Sequence, residues 1–150
     1  MVTEHECIFC KIVKGEVPSK KVYEDKDVIA FLDINPANPG HTLVVPKKHA
    51  EDITKSDEED LEKCIHVVKK ITAKLKEKLN AIGVNVIQSN GHAAGQIIAH
   101  THFHVIPRYE NDMVVISYKR IQLSDADLEE IRKKISEDKK PAARDFDLEF

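Results

Sequence analysis

The sequence predicts an α+β domain: a mainly antiparallel sheet of five strands, one long helix, and a second helix near the C-terminus. Three observations carry that prediction. Short apolar segments bounded by turn residues lie before and after the first long helical pattern, without the strand–helix alternation of a parallel sheet. Leu61, Ile65, Val68, Ile71, Leu75 and Leu79 recur at spacings of three and four, which makes one helical stripe. The 150 residues are 41% hydrophobic and 33% charged, a globular composition with enough chain for one core.

The elements follow in order. The first twenty residues hold Cys7, Ile8, Phe9, Cys10, Ile12 and Val13, then a turn over 15–18. Residues 22–23 and 28–32 read as two short strands around a polar turn. Two Pro and a Gly within 35–40 make a loop, and 41–45 form a third strand stopped by Pro46. Ser56 and Glu59 form a capping box that opens the long helix. Asn80 and Gly83 end it, and 84–89 form the fourth strand. A Gly-rich loop over 90–95 leads into a fifth strand over 98–107, extended by 113–117. Residues 124–137 read as the second helix, with Leu128, Ile131 and Ile135 inward. Residues 1–138 are therefore expected to form one domain and 139–150 a charged tail.

Composition removes several function classes. With 23 basic and 26 acidic residues the net charge is −3, so no basic field gathers nucleic acid, and Trp is absent from any stacking platform. No apolar run reaches the roughly 20 residues of a membrane span. The acidic start MVTEHEC lacks the apolar segment of a secretory leader, so a cytoplasmic location is expected. Cys7-x-x-Cys10 then points to metal or redox chemistry rather than to a structural bridge. The redox reading is the weaker, because no strand precedes the pair.

The chemistry concentrates in His100-Thr-His102-Phe-His104. On a strand, alternate side chains share a face, so three imidazoles would line one surface over about 13 Å. Phe103 and Val105 would point the other way, toward the long helix. Clustered imidazoles offer little packing, which leaves a metal site or nucleophilic and acid–base catalysis.

His100-x-His102-x-His104-Val-Ile matches the His-φ-His-φ-His-φ-φ pattern of the histidine triad (HIT) family of nucleotidyl hydrolases and transferases. Cys7-Ile-Phe-Cys10-Lys-Ile, Phe31-Leu-Asp-Ile-Asn-Pro36, Gly40-His-Thr-Leu-Val-Val-Pro-Lys-Lys-His49 and Ala94-Gly-Gln96 extend the match. Together they resemble the prokaryotic branch close to the histidine triad nucleotide-binding (Hint-like) proteins, over residues 7–108.

The resemblance implies a HIT fold and a homodimer with a purine nucleotide as substrate. By the same likeness, His102 attacks the α-phosphorus to form a nucleotidyl-histidine that water cleaves, His104 contacts the phosphate, and His100 orients the strand. His41 matches a histidine the family places near the triad, although a loop histidine would read the same way. Asn90, Gly95 and Gln96 match the loop beside the phosphate, a loop that read alone is a turn. Ile97 stands where relatives often carry Ser or Thr, so a hydroxyl contact is missing there. Ile8, Phe9, Ile12, Phe31, Asp33 and Ile34 match the base and ribose pocket; the apolar members read equally as core, and Asp33 suits ribose hydroxyls.

Cys7, Cys10, His49 and His100 match the pattern of zinc-containing members and of galactose-1-phosphate uridylyltransferase relatives. Two thiolates and two imidazoles suit a closed structural zinc site. Without the resemblance, two buried cysteines and a surface histidine describe the same residues. The implied activity is hydrolysis of nucleoside 5′-phosphoramidates and related AMP conjugates. The alternatives are a dinucleoside polyphosphate hydrolase or phosphorylase, and a nucleotide-binding interaction protein with little catalysis.

Overall fold

The computed structural model describes residues 2–136. Glu137, expected to end the second helix, and the charged tail over 139–150 lie outside the described residues. The chain divides into two compact units, Met1–Val114 and Val115–Phe150.

The first unit is built on five strands: β1 (Lys21–Glu24), β2 (Val28–Leu32), β3 (Thr42–Pro46), β4 (Gly83–Ile87) and β5 (Phe103–Arg108). They lie in the order β1-β2-β3-β5-β4, and every neighbouring pair is antiparallel. The fold is α+β, as the sequence predicts. β2 and β3 are buried on both faces, which is why they read as continuous apolar runs rather than as alternating ones. Val28, Ala30, Val44, Phe103 and Val105 face α2 (Glu58–Leu79), where Cys64, Val67, Val68, Ile71 and Leu75 meet them. The neighbours one residue along, Ile29, Phe31, Leu43 and Val45, face the opposite side and pack on Phe9, Cys10 and Ile12.

That second layer comes from α1 (Ile8–Val13), a helix the sequence reading does not assign. At six residues it is too short to show a full helical period. Its cap is also unusual: the Cys7 thiol accepts from the Cys10 backbone N–H at 3.5 Å.

Four further expectations are corrected. The capping box does not form: Asp57 holds the N-cap position of α2 without a side-chain cap bond, while the Ser56 hydroxyl bonds the Asp52 carbonyl and the Thr101 hydroxyl. Glu58, Glu59 and Asp60 in the first turn and Lys76 and Lys78 in the last complement the helix dipole instead. Ile65 and Leu79 stand exposed at the margin of the stripe, and Cys64 and Val67 are buried in it. β5 begins at Phe103 rather than at 98, since the Thr101 N–H bonds the Ala50 carbonyl and the His100 N–H turns back to Ile98. Residues 113–117 add no strand.

In the second unit, α3 (Asp125–Ser136) is capped by the Ser124 hydroxyl, which accepts from the Asp127 N–H at 3.1 Å. Leu128, Ile131 and Ile135 are exposed, contrary to the inward face expected of them. Among the described residues no helix is long and apolar enough to cross a membrane.

Candidate active site

His104 lies on β5, His102 on the residue before its strand hydrogen bonding begins, and His100 in the bend that leads to it. The single-strand picture is therefore corrected, yet the rings remain on one side of the sheet. Phe9 of α1 stands edge-on to both His102 and His100, with centroids 5.1 and 5.9 Å away. The His102 and His104 rings are 5.0 Å apart, and His41 follows 5.1 Å beyond His104.

Hydrogen-bond partners fix the proton positions. His102 Nδ1 lies 2.6 Å from the His100 carbonyl, so it carries the hydrogen, and Nε2 of the neutral ring is left with a lone pair. Ala37 donates its backbone N–H to His41 Nδ1 at 2.9 Å, so the His41 hydrogen is on Nε2. That N–H meets His104 Nδ1 at 2.9 Å, which leaves the His104 hydrogen on Nε2. Two adjacent imidazoles thus present opposite chemistry, one a lone pair and the other an N–H. Burial keeps them neutral. It pushes His104 down to about 4, with His102 and His41 adding to the effect, and it lowers His102 and His41 against the pull of Asp33.

Beside the triad is a cavity of about 490 Å³. Ile8, Phe9, Ile12, Phe31, Asp33, Ile34, Gly95, Ile97 and His104 all line it. Phe9 and Phe31 meet edge-to-face with centroids 5.5 Å apart, forming an apolar wall. Ile34 and Ile97 are almost fully exposed at its mouth. Asp33 sits at the other chemical extreme, its Oδ2 3.6 Å from His41 Nε2. Asn90 and Gln96 do not line the cavity. Gln96 spends its amide on backbone groups, accepting from the Gly91 N–H and donating to the Glu51 and Ile98 carbonyls. Asn90 accepts from the Ile53 N–H and pairs with Gln88. Both amides are engaged by protein groups.

His100 turns away from this cavity. Its Nε2–H donates to the Pro46 carbonyl at 2.7 Å, leaving Nδ1 as a lone pair. That Nδ1 lies 3.4 Å from Cys7 Sγ, 3.5 Å from Cys10 Sγ and 3.1 Å from His49 Nδ1. His49 Nδ1 is in turn 3.3 Å from Cys10 Sγ. Tetrahedral zinc at ordinary bond lengths separates its ligand atoms by roughly 3.3–3.8 Å, close to this spacing. Burial, then Cys7, pushes the Cys10 thiol up to about 12, and a cation at the centre would reverse that preference. The four residues form a cluster able to hold a metal.

The backbone groups that set the tautomers, the Ala37 N–H and the carbonyls of Pro46 and His100, leave no mark in a sequence and are found only here.

The HIT domain family matches residues 14–111. The chain belongs to the HIT family. It is 50% identical over 129 residues to an uncharacterized HIT-like protein of Methanocaldococcus jannaschii, covering 86% of this chain and 98% of that one. It is 42% identical over 112 residues to a Candida albicans protein named adenosine 5′-monophosphoramidase, covering 72% and 74%. Among solved structures, a HIT family protein from Bacillus anthracis superposes with a TM-score of 0.84 at 41% identity, covering 89% of this chain and 96% of that one. A zinc-bound histidine triad family protein from Mycobacterium smegmatis gives a TM-score of 0.72 at 36% identity, covering 78% and 85%.

Proposed function

We propose that this HIT protein hydrolyses adenosine 5′-phosphoramidates and related AMP conjugates, with His102 as nucleophile. One observation carries the reading: the hydrogen bond from His102 Nδ1 to the His100 carbonyl, which leaves Nε2 unprotonated beside an N–H of His104. In the first step Nε2 attacks the α-phosphorus, the bond from phosphorus to the leaving amine breaks, and the amine leaves with a proton from solvent. The Nε2–H of His104 donates to a phosphoryl oxygen as charge builds there. In the second step water attacks the nucleotidyl-histidine, the new P–N bond breaks, and AMP and free His102 are restored. The cavity walls of Phe9 and Phe31 suit a purine, and Asp33 suits the ribose hydroxyls. The Candida albicans relative named a monophosphoramidase supports the choice of leaving group.

Cys7, Cys10, His49 and His100 would hold zinc, which would supply a structural cross-link between α1 and the triad. The donor set and the zinc-bound relative support that assignment. The same bend that presents the His100 ring to the cluster presents its carbonyl to His102.

The test compares turnover of an AMP–amine conjugate with that of a diadenosine polyphosphate at equal enzyme concentration. The reading expects a higher kcat/KM for the amine conjugate. Preference for the polyphosphate would reassign the leaving group, and nucleotide binding without turnover of either would make the protein a binding module.

A further inference from the structure

We propose that Asn38, with Asp112 and Tyr109, is a positioning device for the triad: it holds the turn carrying His41 on the strand carrying His104, so that His41 keeps His104 in the tautomer that donates toward the cavity. The proposal rests on the reading that His104 Nε2–H faces phosphate.

His41 precedes the first residue of β3, and the ladder to β5 begins only at Thr42, opposite Val105. On the β2 side the Asp33 N–H donates to the His41 carbonyl at 2.9 Å, so it is on the β5 side that the turn before His41 must hold it. Within that turn the His41 N–H bonds the Asn38 carbonyl at 3.0 Å. Asn38 is 9% exposed, and its side-chain amide uses both hydrogens. One goes to the Pro107 carbonyl of β5 and one to Asp112 Oδ2, each at 2.9 Å. The Tyr109 hydroxyl adds a bond to the Pro39 carbonyl at 2.7 Å. Asp112 is itself held by the Arg108 guanidinium at 2.8 and 2.9 Å and by the Tyr109 N–H at 3.0 Å. Apart from the His41–Asn38 bond, these bonds join the 38–39 turn, directly or through the Asp112 carboxylate, to residues 107–109 at the end of β5, a few residues beyond His104.

His104 Nδ1 has His41 Nε2–H as its donor. If the turn drifts, that donor withdraws, and the Nδ1–H tautomer of His104 becomes available. A lone pair would then face a phosphoryl oxygen in place of an N–H. Small displacements of a positioning group cost more in rate than in binding. A clamp that merely stabilised the turn would lower the melting temperature and leave the histidines of the folded protein as they were.

The experiment uses the full chain and the variants Asn38→Ala and Tyr109→Phe, with folding checked by circular dichroism. Long-range ¹H–¹⁵N spectra above the histidine titration range read the tautomer of His104, and steady-state kinetics use an AMP–amine conjugate. Wild type should show His104 with Nδ1 as acceptor and Nε2 protonated. Asn38→Ala should mix the tautomers and lower kcat about tenfold, with KM within about twofold. Tyr109→Phe should shift both readouts in the same direction by less. A folded Asn38→Ala variant with the wild-type tautomer and kcat would overturn the proposal, as would a rise in KM alone. If Asn38→Ala does not fold, Tyr109→Phe, which removes one hydroxyl, decides by the same criteria. Absence of turnover by wild type would sink the proposed function, while the tautomer spectra still decide the clamp.

Discussion

Replacing Gly40 with Ala separates backbone strain from packing at the turn that leads into His41. Gly40 has φ +98°, a conformation L residues rarely adopt. A Cβ there would lie 2.6 Å from Leu79 Cδ1, 3.1 Å from Leu75 Cδ2 and 3.3 Å from Pro107 Cγ. Leu79 is 45% exposed and can swing aside, but Leu75 is buried and the Pro107 ring is rigid, so part of the clash remains. Gly15 is the control: its φ is +77° and nothing lies within 4 Å of its Cβ position. Strain costs about 1–3 kcal/mol at either site. The entropy that Ala removes from the unfolded chain, about 0.4–1 kcal/mol, is shared by both and cancels in the comparison. Overpacking adds about 1–2 kcal/mol at Gly40 only, the lower part of the usual range because Leu79 yields. Urea unfolding of the two variants should thus differ by about 1–2 kcal/mol, with Gly40→Ala the less stable. Equal losses, or a smaller loss at Gly40, would mean that the C-terminal turn of α2 does not press on this loop.

Three further outcomes follow from the site. Asp33→Ala should weaken AMP binding by about 1.5–3 kcal/mol in calorimetry, while a 2′,3′-dideoxy nucleotide binds wild type and variant alike; wild type that binds the dideoxy ligand as well as AMP would give Asp33 another role. Protein purified without tags or chelators should carry about one zinc per chain by elemental analysis, one four-ligand cluster holding one ion, and Cys7→Ser with Cys10→Ser should release it and lower the melting temperature; a folded, zinc-replete wild type with no metal would refute the site. His104, pushed by burial and its neighbours from 6.5 down to about 4, stays neutral when folded while the unfolded chain binds its proton. Stability should therefore be full above pH 6.5 and fall as pH drops toward 4, with a slope of up to about 1.4 kcal/mol per pH unit from this one group. His104→Gln should flatten that slope, and an unchanged slope would show that His104 is not the group responsible.

The sheet was legible because β2 and β3 are short apolar runs bounded by turn residues, and α2 because its apolar stripe follows the helical period. What the sequence hid has local causes. α1 is one and a half turns long and capped by a thiol, so neither its period nor its cap announces a helix. Ser56 has the spacing of a capping residue, but a tertiary bond to Thr101 draws it away and Asp57 takes the position. β5 starts late because Ala50, fifty-one residues back, takes the Thr101 N–H, a contact no local pattern encodes. Within the site, the motif pointed to Ile8, Phe9, Ile12, Phe31, Asp33, Ile34, Gly95, Ile97 and His104, which line the cavity, and to Asn90 and Gln96, which do not, their amides being taken up by neighbouring residues and by the 51–53 segment. Asn38 and Asp112 carried no signal at all, being seventy-four residues apart and joined only by the fold.

The central claim is that His102 becomes covalently attached to the nucleotide. The direct measurement is rapid mixing with an AMP–amine conjugate, an alkaline quench that preserves a P–N bond to imidazole, and peptide mass mapping with fragmentation. The account predicts a nucleotidyl group on His102 within the first turnover. A nucleotidyl group on His100 or His104, or a completed first turnover with the peptide over 100–104 unmodified throughout, would contradict it.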